Sequence, residues 1–344
     1  MKVSKEFFEL EVRYSTSDNI TLSGLLTLPE KVKRPPVVIL AHGFCGNKNE
    51  KGFFVQAAKS FYKHGYAVIR FDFRGCGNSD GDFVNVRLAD KRLDLTATVD
   101  FIKSQNKLLD SDRIAFVGFS LGATLGLLSD IPDFKTLAFW SPAFFPCNDM
   151  YPRYINEDVV REINQKGYFV KSNLKVSKLF LEDLALCDTT TQIESIDKPV
   201  LVIHGRKDKR ISWKSTEIAF NMLKQKNNDK LIKYIDDGHS FKENLSNRSV
   251  VINSTIKWFD YYLKPSLKLM FKIDSHETIS VRNNDVLPKV ASGFSYSHEQ
   301  FESSWSVLGA SQKGCLGLKK SEEHNSEIQK KRPRTGKLLK KVYA

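Results

Sequence analysis

The chain has 344 residues, 41% of them hydrophobic and 27% charged, close to ordinary globular usage, so one large domain with additions can bury a sizeable core. No apolar run nears the roughly 18–20 residues that cross a bilayer, which sets aside a helical membrane protein. About half of the net charge of +13 belongs to one end, because residues 264–344 hold 15 Lys/Arg against 8 Asp/Glu.

Residues 7–14 and 20–28 alternate apolar and polar side chains around the turn Ser17-Asp18-Asn19, which predicts a β-hairpin. After Pro35-Pro36, residues 37–41 form a short apolar run, typical of a strand buried on both faces. Residues 53–62 have helical spacing, 66–73 read as the next buried strand, and 88–104 as a longer amphipathic helix. A strand over 113–119, a helix over 121–128 and strands over 137–140 and 200–203 follow. A helix over 214–223, a strand over 230–235 and a helix over 250–262 complete the series. This alternation predicts the α/β class, a mostly parallel sheet with helices on both faces. Nearly sixty residues between Ser141 and Lys198 interrupt it without a core strand. They are rich in aromatics (Phe144, Phe145, Tyr151, Tyr154, Tyr168, Phe169, Phe180), and a connection of that length carries function or structure of its own. A cap over the C-terminal edge of the sheet is expected there. Residues 264–271 read as a last strand or an extension, and from about 272 the chain is polar, aperiodic and expected to be disordered.

The strongest chemical signal is Gly118-Phe119-Ser120-Leu121-Gly122, which follows one predicted strand and opens a predicted helix. That is the context of a nucleophile elbow, and the N-terminus of the following helix favours negative charge developing near Ser120. A serine hydroxyl is a weak nucleophile until an imidazole takes its proton and an acid orients the imidazole. Of the seven histidines, His239 in Asp237-Gly238-His239-Ser240 sits just past a strand end and is taken as the general base. His64 reads as a helix cap, His42 as a loop-holding residue and His204 as structural, while His276, His298 and His324 fall in the polar tail. Asp208 in His204-Gly205-Arg206-Lys207-Asp208 lies at another strand end and is taken as the acid. Asp236 and Asp237 are less suited, because neighbours in a tight turn rarely present a carboxylate to the distal ring nitrogen. An oxyanion hole needs two backbone N–H groups, expected from Leu121 and, through His42-Gly43-Phe44, from Phe44. Cys45 beside that loop is read as a bystander.

His42-Gly43-Phe44 with Asn47-Lys48-Asn49-Glu50, then Phe71-Asp72-Phe73-Arg74-Gly75-Cys76-Gly77-Asn78-Ser79-Asp80-Gly81, then the elbow, resembles the α/β-hydrolase superfamily. Within it the pattern is similar to the cinnamoyl/feruloyl esterase branch, near the serine aminopeptidase-like and monoacylglycerol lipase-like hydrolases. The resemblance spans roughly residues 5–263. It implies an α/β-hydrolase fold with an eight-stranded sheet, a cap after the sixth strand and serine-dependent cleavage of carboxylic esters. It also implies the triad Ser120, Asp208 and His239 with oxyanion donors Phe44 and Leu121. Ala123 departs from the glycine many relatives carry there, and the cap matches no familiar pattern. The expected organisation is a hydrolase domain over 1–263, with its cap at about 142–197, and a polar, basic extension over 264–344.

No dinucleotide fingerprint or metal-ligand spacing appears, so no cofactor and no metal are expected. The glycine-rich stretch 74–81 lacks a phosphate-loop signature and is read as part of the active-site rim. Five separated cysteines (Cys45, Cys76, Cys147, Cys187, Cys315) without a CxxC, and a start without an apolar signal core, lead to an expectation of reduced thiols and a cytoplasmic location. The end of the chain (KKRPRTGKLLKKVYA) could meet an acidic partner, but without aromatic interleaving a solvated tail is the preferred reading. The expected substrate is a small-molecule ester with an apolar or aromatic acyl group. Three alternatives stand beside it: an aminopeptidase-like peptidase whose cap acids (Glu157, Asp158, Glu162, Glu182, Asp183) hold an ammonium, an acyltransferase, and a non-catalytic scaffold tethered by its tail.

Overall fold

Apolar runs too short for helices but long enough to cross a sheet set the centre of the fold. The computed structural model describes residues 7–129, 133–223, 229–244 and 246–264. The expectations for a strand beyond Lys264, for the polar tail with His276, His298, His324 and Cys315, and for the basic end lie outside the described residues.

The predicted hairpin is β1 (Glu9–Ser15) paired antiparallel with β2 (Thr21–Thr27), in the register Glu9 to Thr27 through Ser15 to Thr21. Strand β3 (Pro36–Ala41) is buried at all six positions, as is the five-residue β4 (Ala67–Phe71), so both cross the middle of the molecule. Between them runs α1 (Phe53–Lys63), and after β4 comes α2 (Asp90–Ser104). Then follow β5 (Asp110–Phe119), α3 (Leu121–Leu128) and β6 (Phe134–Trp140). Strand β6 starts earlier than the sequence pattern suggested: exposed Lys135 breaks the apolar run, yet Phe134 stacks on Phe116 of β5 with ring centroids 5.0 Å apart.

The segment between β6 and the next core strand has its own elements. Helices α4 (Pro146–Asp149), α5 (Tyr151–Tyr154) and α6 (Glu157–Lys166) come first, then the strands β7 (Tyr168–Lys171) and β8 (Leu174–Ser177). Helices α7 (Lys178–Leu186) and α8 (Thr190–Ser195) finish it. β7 and β8 pair only with each other, so the segment adds no strand to the main sheet. The core resumes with β9 (Val200–Gly205), α9 (Trp213–Met222), β10 (Lys230–Ile235) and α10 (Asn247–Leu263).

The eight-stranded sheet has the order β1-β2-β4-β3-β5-β6-β9-β10, antiparallel at the first two pairings and parallel thereafter. Alternation within each strand divides its residues between two layers. Leu40, Val117, Trp140 and Ile203 face α1 and α10, where Phe53 stacks on Trp140 at 4.8 Å and Phe61 on Phe259 at 5.8 Å. Phe116 faces the other way, and α3 can approach its ring because residue 126 is glycine. Burying two indoles requires partners for their N–H groups. Trp140 Nε1–H donates to Thr255 Oγ1 at 2.9 Å and Trp258 Nε1–H to Thr136 Oγ1 at 2.8 Å, so β6 and α10 satisfy each other reciprocally. No helix among the described residues is long and apolar enough to cross a membrane.

The C-terminal ends of β3, β5, β6, β9 and β10 share one edge of this sheet, because these five strands are mutually parallel. Ser120, Asp208 and His239 each follow one of those ends.

Candidate active site

Ser120 stands between the last residue of β5 and the first of α3 with φ 54° and ψ −120°, a backbone conformation that a side chain adopts only at a cost. Its surroundings hold it there: Ser120 N–H donates to Trp140 O at 3.0 Å, and its own carbonyl accepts from Ala123 N–H and Ala143 N–H, both at 3.1 Å. The two flanking glycines are steric requirements. A Cβ on Gly118 would strike the Ala123 backbone, and one on Gly122 would overlap the carbonyls of Ala41 and His42 at the end of β3. Both obstacles are backbone and cannot rotate away. Gly122→Ala is therefore expected to destabilise the protein by about 3 kcal/mol or more, read as a lowered Tm or loss of soluble protein.

Asp208 and His239 come from neighbouring strands, β9 and β10, and meet directly: His239 Nδ1–H donates to Asp208 Oδ2 at 2.6 Å. That contact assigns the tautomer and leaves Nε2 of His239 without a proton. The His239 ring also packs on Phe119, the residue before Ser120, at 5.1 Å between centroids. The other Asp208 oxygen, Oδ1, accepts from the N–H groups of Arg210 (2.7 Å) and Ile211 (3.0 Å). Burial works against the carboxylate charge, but the N–H groups of His204 and His239 outweigh it and hold Asp208 well below the usual carboxylate range. Burial also pushes His239 below its ordinary 6.5, more than the facing carboxylate restores, so the ring is neutral at pH 7.

The alternative acids have other work. Asp237 accepts from Gly238, Glu243 and Asn244 N–H and from Asn247 Nδ2, so it shapes the loop carrying His239. Asp236 is exposed and pairs with Lys207 at 2.8 Å.

The loop after β3, which carries Phe44, is positioned by two groups. His42 donates from Nδ1 to Gly43 O (2.9 Å) and accepts Phe73 N–H at Nε2 (3.1 Å), which requires a neutral ring. Burial and nearby Lys91 lower it to about 4, consistent with that state. Glu50 Oε1 accepts Gly43 N–H at 3.0 Å. Gly43 faces Ser120 so closely that an added Cβ would lie 3.1 Å from Ser120 Cβ, which puts the segment leading to Phe44 beside the serine. The rest of Asn47-Lys48-Asn49-Glu50 is equally engaged: Lys48 binds Asp72 through N–H and Nζ, and Asn49 Oδ1 accepts from Arg70. Leu121 is the first residue of α3, so its N–H belongs to the unpaired first turn of that helix.

The stretch 74–81 offers no free cation for a phosphate. Arg74 is bound to Asp94 at Nε (2.7 Å) and by two N–H groups to Asp18 (2.6 and 2.9 Å), tying it to α2 and the first hairpin. The four described thiols are unsuited to attack: burial raises Cys45 to about 12, Cys147 to about 11 and Cys187 to about 12, and pushes Cys76 up as well.

Aromatic rings from the insertion meet rings from the core loops next to the serine. Phe44 stacks on Phe180 of α7 at 5.3 Å and meets Tyr154 of α5 at 5.2 Å, while Phe83 meets Phe180 at 5.3 Å. Arg87 forks onto Asp183, whose Oδ2 also takes Leu88 N–H at 2.8 Å, fastening α7 to the loop before α2. Of the cap acids considered for an ammonium site, Asp183 is thus occupied structurally, and Asp158, Glu162 and Glu182 pair with Arg161, Lys166 and Lys178. Sequence reasoning did not foresee His204 as a partner of Asp208, Glu50 as an anchor of the Phe44 loop, or the pairing of Phe44 and Phe83 with Phe180. The first had a readable signal in its spacing, four residues before Asp208 at the end of the same strand.

A doubly wound, mostly parallel eight-stranded sheet, with a serine on a strained turn at its C-terminal edge, defines an α/β hydrolase. The chain belongs to the prolyl oligopeptidase family, whose profile it matches over residues 52–266. Among curated relatives, the uncharacterized peptidase YuxL of Bacillus subtilis is 24% identical over 271 residues, covering 74% of this chain and 39% of YuxL. The mouse mitochondrial palmitoyl-protein thioesterase ABHD10 is 26% identical over 199 residues, covering 54% and 63%. The chain spans between 36% and 63% of the length of relatives such as these and an Escherichia coli protein of 31.7 kDa. Est1E from Butyrivibrio proteoclasticus, solved with ferulic acid bound, has a similar fold with a TM-score of 0.61 at 20% identity, over 74% of this chain and all of that one.

Proposed function

We propose that this chain is a serine-dependent carboxylic-ester hydrolase working through an acyl-enzyme, with Ser120, Asp208 and His239 as its triad. The observation that carries the reading is the Asp208–His239 pair of 2.6 Å beside a serine held at φ 54° between strand and helix. His239 Nε2 takes the Ser120 hydroxyl proton as Oγ bonds to the ester carbonyl carbon, and the carbonyl electron pair moves onto oxygen. The N–H groups of Leu121 and Phe44 receive that oxyanion. Collapse breaks the bond to the leaving alcohol, which His239 protonates. Water then attacks the acyl-enzyme with the same base and releases the acid and Ser120. Asp208 keeps the proton on Nδ1 and stabilises the imidazolium. The insertion acts as a cap whose Phe180 and Tyr154, with Phe44 and Phe83, favour an apolar or aromatic acyl group of small to medium size.

A peptidase reading has specific support in the family membership and in the name YuxL carries. It is the weaker one, because four of the five cap acids considered for an ammonium, Asp158, Glu162, Glu182 and Asp183, already meet cations or hold the fold. Hydrolysis of p-nitrophenyl esters of rising acyl length, methyl hydroxycinnamates and aminoacyl arylamides separates the two. Ester turnover with kcat/KM rising for aromatic acyl groups is expected. Arylamide turnover without ester preference would transfer the site to peptides.

The pH profile is a further expectation. The base must be neutral, and His239 lies below 6.5 in the folded protein, so kcat/KM should be flat above pH 7 and decline only below about 6.5. An acidic limb centred above pH 7 would contradict the assignment of His239.

A further inference from the structure

A second imidazole shares the carboxylate oxygen that orients His239. His204, at the end of β9 and wholly buried, places Nε2 3.0 Å from Asp208 Oδ2 and 3.2 Å from Ile211 O. Both neighbours are acceptors, so Nε2 carries the hydrogen. On the other side Nδ1 lies 2.7 Å from Thr216 Oγ1 of α9, whose hydroxyl donates to it. The ring is therefore satisfied at both nitrogens and rotationally fixed, with one N–H aimed at Asp208. Oδ2 accepts two imidazole N–H groups and Oδ1 two backbone N–H groups, which occupies the lone pairs of the carboxylate. A carboxylate with four donors is a weaker base toward any one of them than a carboxylate with three.

We propose that His204 is a positioning residue for the reaction, setting through its shared bond to Oδ2 how much negative charge Asp208 presents to the His239 ring. The inference rests on the triad reading above. The charged and titratable groups around the pair are few. His204 comes from β9, Arg210 from the loop before α9, and Asp149 from α4, where Asp149 bonds Ser215 of α9 and Phe145 N–H. Burial pushes the Asp149 carboxyl up to about 6, so in neutral solution it adds negative charge on the His204 side. Arg210 and His204 both act to lower the His239 titration, and only Asp208 raises it. Removing the His204 N–H leaves Asp208 with one donor fewer and a stronger hold on the His239 cation. The titration of His239 must then move upward, and the acidic limb of kcat/KM with it.

The test compares wild type with His204→Leu, which removes the N–H, and His204→Gln, whose amide N–H reaches about the place of Nε2. The His239 ring is titrated by NMR, and kcat/KM for a p-nitrophenyl ester is followed against pH. In His204→Leu the His239 midpoint and the acidic limb are expected to rise together by about one pH unit, and His204→Gln to fall most of the way back to wild type. A His204→Leu protein that loses activity or Tm with the His239 midpoint unmoved would overturn the proposal, since His204 would then serve the fold alone. Should His204→Leu fail to fold, Thr216→Val takes its place. It leaves the imidazole and removes only the hydroxyl that polarises it, and a smaller upward shift is expected. No shift there would equally overturn the proposal. The NMR titration needs no turnover, so it decides this point even if no ester is hydrolysed, and that failure would count against the triad reading instead.

Discussion

Ser120→Ala is expected to reduce ester kcat by about 10⁴-fold or more while leaving the Tm near that of wild type. The fold should survive because every hydrogen bond that holds position 120 in its strained turn comes from the backbone, to Trp140, Ala123 and Ala143. Alanine also fits wherever serine does. Chemistry should not survive, because the proposed covalent step runs through the Ser120 hydroxyl and the four described thiols, held protonated by burial, cannot replace it. What remains after the change is binding and whatever the N–H groups at 44 and 121 contribute to direct attack by water. The measurement is steady-state hydrolysis of p-nitrophenyl acetate together with labelling by a fluorophosphonate. Loss of both identifies Ser120, whereas a variant retaining a tenth of wild-type turnover would disprove its role.

The second large effect is expected from Asp208→Asn. Every lone pair of the carboxylate faces a donor: His239 and His204 at Oδ2, Arg210 and Ile211 N–H at Oδ1. An amide group must set its NH2 against one of these pairs. The backbone N–H groups cannot change, so the NH2 is forced toward the two imidazoles. His239 then has to accept at Nδ1, which moves its proton to Nε2, the atom proposed to take the serine proton. A fall in kcat of about 10⁴-fold follows from the wrong tautomer. The change also removes a charge-assisted bond, worth about 2 kcal/mol, so a Tm lower by about 4–8 °C is expected in a domain of this size. NMR of the imidazole nitrogens can identify the tautomer directly. A variant with the proton still on Nδ1 and a comparable loss of rate would require a different account of Asp208.

Much of the architecture could be read in advance because burial on both faces leaves a continuous apolar run. Residues 37–41 are such a run, and β3 spans Pro36–Ala41. The elbow was legible because its steric demand is local: Gly118 and Gly122 must be small to clear backbone only a few ångströms away. The start of β6 was hidden by one exposed lysine, Lys135, at the second position of the strand, which interrupts its apolar run. The 141–198 segment declared itself only through length and aromatic content. Its helix α7 meets Phe44 and Phe83 through Phe180, residues about a hundred positions distant, and its hairpin pairs only with itself.

By itself the sequence determined the strand and helix succession of the core outside the insertion, the serine turn, and three side chains placed just past strand ends, because each depends on neighbours within a few residues. Only the tertiary structure decided which partner each group found. It gave Asp208 both His239 and His204, gave Gly43 the carboxylate of Glu50, and laid Phe180 over Phe44. His239 and Asp208 are 31 residues apart and come from neighbouring parallel strands, and Phe180 and Phe44 come from the insertion and a core loop, so both contacts depend on distance in space, on which sequence spacing is silent. The local pairs His204–Asp208 and Gly43–Glu50 depend on how the loops after β9 and β3 turn.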